Sequence, residues 1–141
     1  MKMMKQIVVL IFIVFISMID SVTIGKRIQI PDKDQSLRNL VYKVGLPKAN
    51  AQIHDSVLWV PGTTQFSAQR ITVIQQNKPY STWHFDMLLE KSNCAVKTTP
   101  LTDLPGCKAV DTSVKVLCIA DVSLFDGDYS SAESEVRCSR Q

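Results

Sequence analysis

The 141 residues contain no Gly-x-Ser-x-Gly, no His-Glu-x-x-His, no phosphate-binding loop and no carboxylate constellation. The motifs that would announce a hydrolase, a metallopeptidase or a nucleotide enzyme are therefore missing, and the chain is not expected to be an enzyme or to carry a cofactor. Charge of one sign is scarce as well. Sixteen Lys and Arg against 13 Asp and Glu leave a net +3, and no basic cluster interleaved with aromatics marks a nucleic-acid surface. No Asn-x-Ser/Thr acceptor occurs, so N-glycosylation is not expected. The two histidines, His54 and His84, stand singly among polar neighbours and are expected to be solvated.

What is present begins with one long hydrophobic run. "MKMMK" is a short basic start, and "QIVVLIFIVFISMI" follows it without a charge. The run is short for a bilayer span and gives way at once to "DSVTIGKR", the layout of a signal peptide cleaved after a small residue such as Ser21. Residues 1–21 are thus expected to be removed, leaving 22–141 as one secreted, extracellular domain with a modest core and no membrane anchor. Losing Lys2, Lys5 and Asp20 lowers the net charge by only one.

Secretion bears on the four cysteines, Cys94, Cys107, Cys118 and Cys138, all in the last third of the chain. Their gaps of 13, 11 and 20 residues contain no close pair of the kind zinc sites use, and both histidines lie upstream, so no metal is expected. Nothing marks a base or an electropositive pocket for a catalytic thiol. In an oxidising compartment the four are read as two disulfides, for which three connectivities are open. Loops of these lengths give on the order of 3 kcal/mol per bridge in the chain-entropy model.

Alternation then predicts strands. In "STWHFDMLLEK", Trp83, Phe85, Met87 and Leu89 share one face, with Thr82, His84, Asp86 and Glu90 on the other. "VKVLCIADVSLF" repeats the pattern, "FSAQRITVIQQ" precedes it through a turn at "QNKPY", and "YSSAESEVRC" returns as a polar edge strand. Asp126-Gly127 between two of these strands predicts a primed hairpin turn. A four-stranded meander results. Before it, Leu37, Leu40, Val41 and Val44 have helical spacing up to Gly45 and Pro47. Ala49, Ile53, Val57 and Val60 continue that spacing until Pro61-Gly62, so the helix is one element or two. The order of helix and then antiparallel strands is that of an α+β fold.

From about Lys48 to Gln141 this arrangement resembles the cystatin superfamily. It is similar to type 2 cystatins in the Cys118–Cys138 spacing, and "LPGCKAVDTSVKVLC" resembles cathelin-like and fetuin-like members. The resemblance implies an antiparallel sheet wrapped on one main helix, with disulfides Cys94–Cys107 and Cys118–Cys138. It also implies reversible inhibition of papain-like cysteine proteases by a three-part wedge: a segment around a glycine, a first hairpin with Gln-x-Val-x-Gly, and a second with Pro-Trp. Carried over residue by residue, the first hairpin falls at Gln76, Asn77, Lys78, Pro79 and Tyr80. Gln76 matches, while Lys78 and Tyr80 stand where Val and Gly are expected; the alternative register "ITVIQ" keeps Val73 alone. The second hairpin falls at Phe125, Asp126 and Gly127, with no Pro-Trp. The glycine is Gly45 if the second helical stretch is the main one, or Gly25 if the helix spans both.

These departures imply a weakened or shifted target range. The other reading is a cystatin-scaffold protein that binds or signals without inhibiting, its partner another secreted protein. A monomer is expected, with strand exchange through the edge strand as the route to a dimer. Asn77, Lys78 and Pro79 are also ordinary turn formers, and Trp59 and Trp83 lie in periodic segments that suit a core.

Overall fold

The computed structural model describes residues 25–62 and 66–141. The expected signal peptide, 1–21, lies outside the described residues. Strand β1 (Arg27–Ile30) is followed by helix α1, which runs without a break through Gln35–Leu40, a π turn at Val41–Gly45, and Leu46–Ile53. Then come β2 (Val57–Pro61), β3 (Ser67–Gln75), β4 (Lys78–Ala95), β5 (Ala109–Phe125) and β6 (Glu133–Arg140), with 3-10 turns at Leu101–Gly106 and Tyr129–Ser131. The sheet is antiparallel throughout, in the order β1-β3-β4-β5-β6, and β2 pairs with the far half of β4. One face of this sheet packs on α1, an α+β arrangement.

The helix starts where Asp34 accepts a hydrogen bond from the Leu37 N–H at 2.9 Å. Gly45 and Pro47 do not end it, contrary to one expectation from the sequence. A proline inside an α-helix clashes with the carbonyl four residues back, and the π turn just before Pro47 relieves that clash by widening the helix. The Leu46 N–H accordingly bonds to the Val41 carbonyl, five residues back. Nor does the helix continue to Pro61. His54 takes a left-handed conformation (φ 57°) and stops the helix. Val57 and Val60 therefore belong to a strand despite their helical spacing. Asn50 secures the exchange, since its side chain accepts from the Trp59 N–H (2.7 Å) and donates to the Trp59 carbonyl (2.9 Å).

The core follows the predicted alternation. Trp83, Phe85, Met87 and Leu89 of β4 and Val116, Cys118, Ala120, Val122 and Leu124 of β5 are buried against Leu37, Leu40, Val41 and Leu46 of α1. Trp59 is buried as well. Glu90, expected on the polar face, is instead only 5% exposed, because the strand is irregular after Leu89 and turns this side chain toward Lys115 (3.7 Å). Gly45 is buried, and a Cβ there would meet Phe85 and Met87 at 3.1–3.2 Å. Its lack of a side chain is what brings the helix so close to the sheet.

Both disulfides implied by the resemblance form, Cys94–Cys107 and Cys118–Cys138. The second ties β5 to β6 at directly opposed positions. Among the described residues, no helix is long and apolar enough to cross a membrane.

Two outcomes test this account. Gly45→Leu places a large side chain between helix and sheet and should lower unfolding free energy by about 1–3 kcal/mol, read by urea denaturation with an unchanged m-value. Asp55, just after the helix, accepts from the Ser56 N–H and the Trp59 indole N–H, with Lys91 at 3.9 Å, so its carboxyl titrates below the usual range. A lowered folded pKa contributes stability above the unfolded value of about 3.9 that is lost as pH falls through the folded pKa. Melting temperature should therefore drop on acidification below about pH 4, and Asp55→Asn should flatten part of that drop.

Candidate functional site

The antiparallel register brings three chain segments to one end of the sheet. β1 begins beside the middle of β3, where Arg27 pairs with Ile71, and Gly25 just before it lies against Thr72, on the side of β3 that leads to this end. β3 turns into β4 there, where Gln75 pairs with Lys78, and β5 ends there, where Tyr80 pairs with Phe125.

The first turn is the two residues Gln76 and Asn77, both left-handed at φ 52° and 60°. This is the geometry of a primed hairpin, which the twist of the flanking strands favours. Lys78, Pro79 and Tyr80, expected in the turn, are therefore the first residues of β4. Lys78 and Pro79 remain exposed, Tyr80 is half-buried, and Ile74, opposite Pro79, is 60% exposed.

The second turn is not the primed pair expected at Asp126-Gly127. Only Gly127 has positive φ, 80°, and the Asp128 N–H bonds to the Phe125 carbonyl at 2.9 Å. The chain then coils through Tyr129–Ser131, so β6 starts at Glu133 instead of Tyr129. Asp128 organises this coil. Its carboxylate accepts from the Ser130 hydroxyl and N–H, and the hydroxyl bond above all holds its pKa below the usual value. Its carbonyl accepts from the Ser131 hydroxyl (2.7 Å), whose oxygen in turn accepts from the Phe125 N–H (3.2 Å).

Hydrogen bonds stitch the segments together. The Asp126 N–H donates to the Pro79 carbonyl (3.0 Å), and the Tyr80 and Phe125 rings meet edge to face with centroids 5.0 Å apart. Ser81, fully buried beside the turns, donates its hydroxyl to the Asp126 carboxylate. That commits its one proton, so Thr72 is the donor in the 2.8 Å bond to the Ser81 oxygen. Gly25 lies directly on the Thr72 carbonyl, where a Cβ would overlap the backbone. Gly25, Thr72, Ser81 and Asp126 thus link the N-terminal segment to both turns.

Of the sequence-predicted site residues, Gln76, Asn77, Lys78, Pro79, Tyr80, Phe125, Asp126 and Gly127 come together here. Gly45 does not: it is buried between helix and sheet, so Gly25, the alternative for a continuous helix, is the glycine at this end. Thr72 and Ser81 were missed. Their one signal was a pair of hydroxyls at directly opposed positions on the face that Ala68, Trp83 and Phe85 share. All four cysteines are in disulfides, and no group of three or more His, Cys, Asp or Glu suited to a metal occurs among the described residues. His84 is half exposed on the outer sheet face, 2.7 Å from Asp121 and 3.9 Å from Asp86. No protein-family model, curated protein or solved structure matches the chain.

Ser81→Ala should cost about 0.5–1.5 kcal/mol, the net worth of a typical hydrogen bond, because water can replace the hydroxyl at exposed Asp126 and half-buried Thr72. Amide NMR shifts should change most at Thr72 and Asp126–Tyr129 and least around Cys94–Cys107.

Proposed function

We propose that this chain is a secreted, cystatin-like, reversible inhibitor of papain-like cysteine proteases whose target range is shifted by unusual hairpin tips. One observation carries the reading. The Gln76-Asn77 turn and the Phe125–Asp128 turn stand side by side at one end of the sheet, with the N-terminal segment at Gly25 three residues short of it, all linked through Thr72, Ser81 and Asp126. Such a row can fill a cleft with turn backbone and exposed side chains, so no scissile bond is delivered to the nucleophile. The single helix, the sheet that follows it and the two sequential disulfides support the same scaffold. The disulfides also favour an oxidising, secretory compartment.

The tips account for the shifted range. The first hairpin offers Ile74 as its exposed apolar group, with Gln76, Asn77 and Lys78 around it. The second has no tryptophan, and Phe125 is partly spent on Tyr80. A central aromatic anchor is commonly worth about 2 kcal/mol or more, so its loss weakens binding roughly thirtyfold. The remaining contacts are polar, which places discrimination in charge and hydrogen bonding. That polarity also favours the second reading, a secreted binding protein that inhibits no protease.

The test is a titration of the oxidised protein against a panel of papain-like proteases, beside Ile74→Glu and Gly25→Arg. We expect reversible inhibition of at least one enzyme, weakened roughly thirtyfold or more by either substitution if each removes a hot-spot contact. A folded, disulfide-bonded protein inhibiting none of the panel would transfer the weight to the non-inhibitory role.

A further inference from the structure

Away from the hairpin tips, a groove of about 650 Å³ runs between the outward side of α1 and the 3-10 turn Leu101–Gly106. Tyr42 and Pro47 line it from the helix, Leu101 and Pro105 from the turn. The π turn is what pairs the first two. Residues five apart stack in a π turn, whereas in a regular α-helix they would diverge by more than a right angle. Leu101 is 51% exposed at the opposite wall, held there because its neighbour Leu104 is fully buried and the Cys94–Cys107 bridge closes the loop.

The charge on this groove has one sign. Arg38 and Lys43 line it, every other lining side chain is uncharged, and Asp103 of the same 3-10 turn is not among them. The Lys43 ammonium sits 4.6 Å from the centre of the Tyr129 ring, which holds that cation in place. Arg38 forms no ion pair among the described residues. Its planar fork suits a carboxylate in two-point contact.

We propose that this groove binds a long-chain carboxylate, with the alkyl chain along Tyr42, Pro47, Leu101 and Pro105 and the head group at Arg38. Size and charge together select this occupant. The volume falls within the roughly 300–1,000 Å³ of small-molecule sites, whereas a stable protein partner needs about 800 Å² of surface on each side, more than this groove provides. A neutral apolar ligand would leave the guanidinium unused, and a cationic one would be repelled. The inference does not rest on protease binding, because none of these residues lies on the hairpin tips.

The test uses oxidised protein expressed from the full sequence, titrated with dodecanoate below its micelle concentration by calorimetry and amide NMR. Dodecyltrimethylammonium is the matched control. Dodecanoate should bind at one saturable site, with shifts confined to Arg38–Lys43 and Leu101–Gly106, and the cation at least tenfold more weakly. Arg38→Gln should weaken dodecanoate roughly tenfold, the scale of one charge-assisted hydrogen bond. Leu101→Asp should abolish binding while thermal melting shows the fold retained, and neither variant should alter protease inhibition. Equal binding of both surfactants, no saturable binding, or shifts centred elsewhere would overturn the proposal, as would an acidic peptide that occupies the groove when dodecanoate does not.

Discussion

The close approach of the π turn to Phe85 and Met87 is the contact on which the rest of the molecule depends. Gly45 allows it by presenting no side chain, and the extra residue of the turn makes room for Pro47. A straight α-helix with a larger residue at this point would stand farther from the sheet. Leu40, Val41 and Leu46, which flank the glycine, would then lose contact with the inner faces of β4 and β5. Glycine and proline are both poor helix formers, by roughly 1 and 3 kcal/mol respectively in a helix interior. Their presence mid-helix is explained by burial, since several fully buried apolar side chains outweigh that intrinsic cost.

The same turn has a second consequence on its outer side. It sets Tyr42 and Pro47, both half-buried, on the groove side of the helix, opposite the loop that Cys94–Cys107 closes. One local irregularity thus shapes both the core and the groove. The tip end of the sheet is held by different means. Neither disulfide reaches it, and its order comes from the Thr72–Ser81–Asp126 hydrogen bonds and the coil around Asp128. Such bonds fix backbone positions while leaving exposed side chains free to vary.

This division explains which features were legible in the sequence. The alternation in β4 and β5, the two-disulfide framework and the polar edge strand were readable because each rests on a local period or on composition. The continuity of the helix was not, because Gly45 and Pro47 ordinarily signal a stop and the compensating packing comes from residues some forty positions away. β2 was masked by helical spacing at Val57 and Val60. Its decisive partner, the Asn50 side chain, is a tertiary contact. At the tips the identity of the turns was readable but their type was not. Asp-Gly is the stronger primed-turn signal, yet the primed turn formed at Gln76-Asn77. The Asp126 carboxylate is drawn inward by Ser81, and Asp128 with Ser130 and Ser131 offers the chain a competing coil.

Gly25 shows how a single backbone constraint connects these levels. As a residue in a loosely patterned segment it carries no sequence signal of its own. In the fold it rests on the Thr72 carbonyl, and Thr72 is the donor that completes the Ser81–Asp126 chain. Any side chain at residue 25 must push the N-terminal segment away from β3, and the displacement acts on the same strand residue that orients the second turn through Ser81. The three segments at this end are therefore coupled through the Thr72 and Ser81 hydroxyls. The shape of the row is a property of the scaffold, and its chemistry is a property of the exposed residues Ile74 to Lys78 and Asp126 to Asp128.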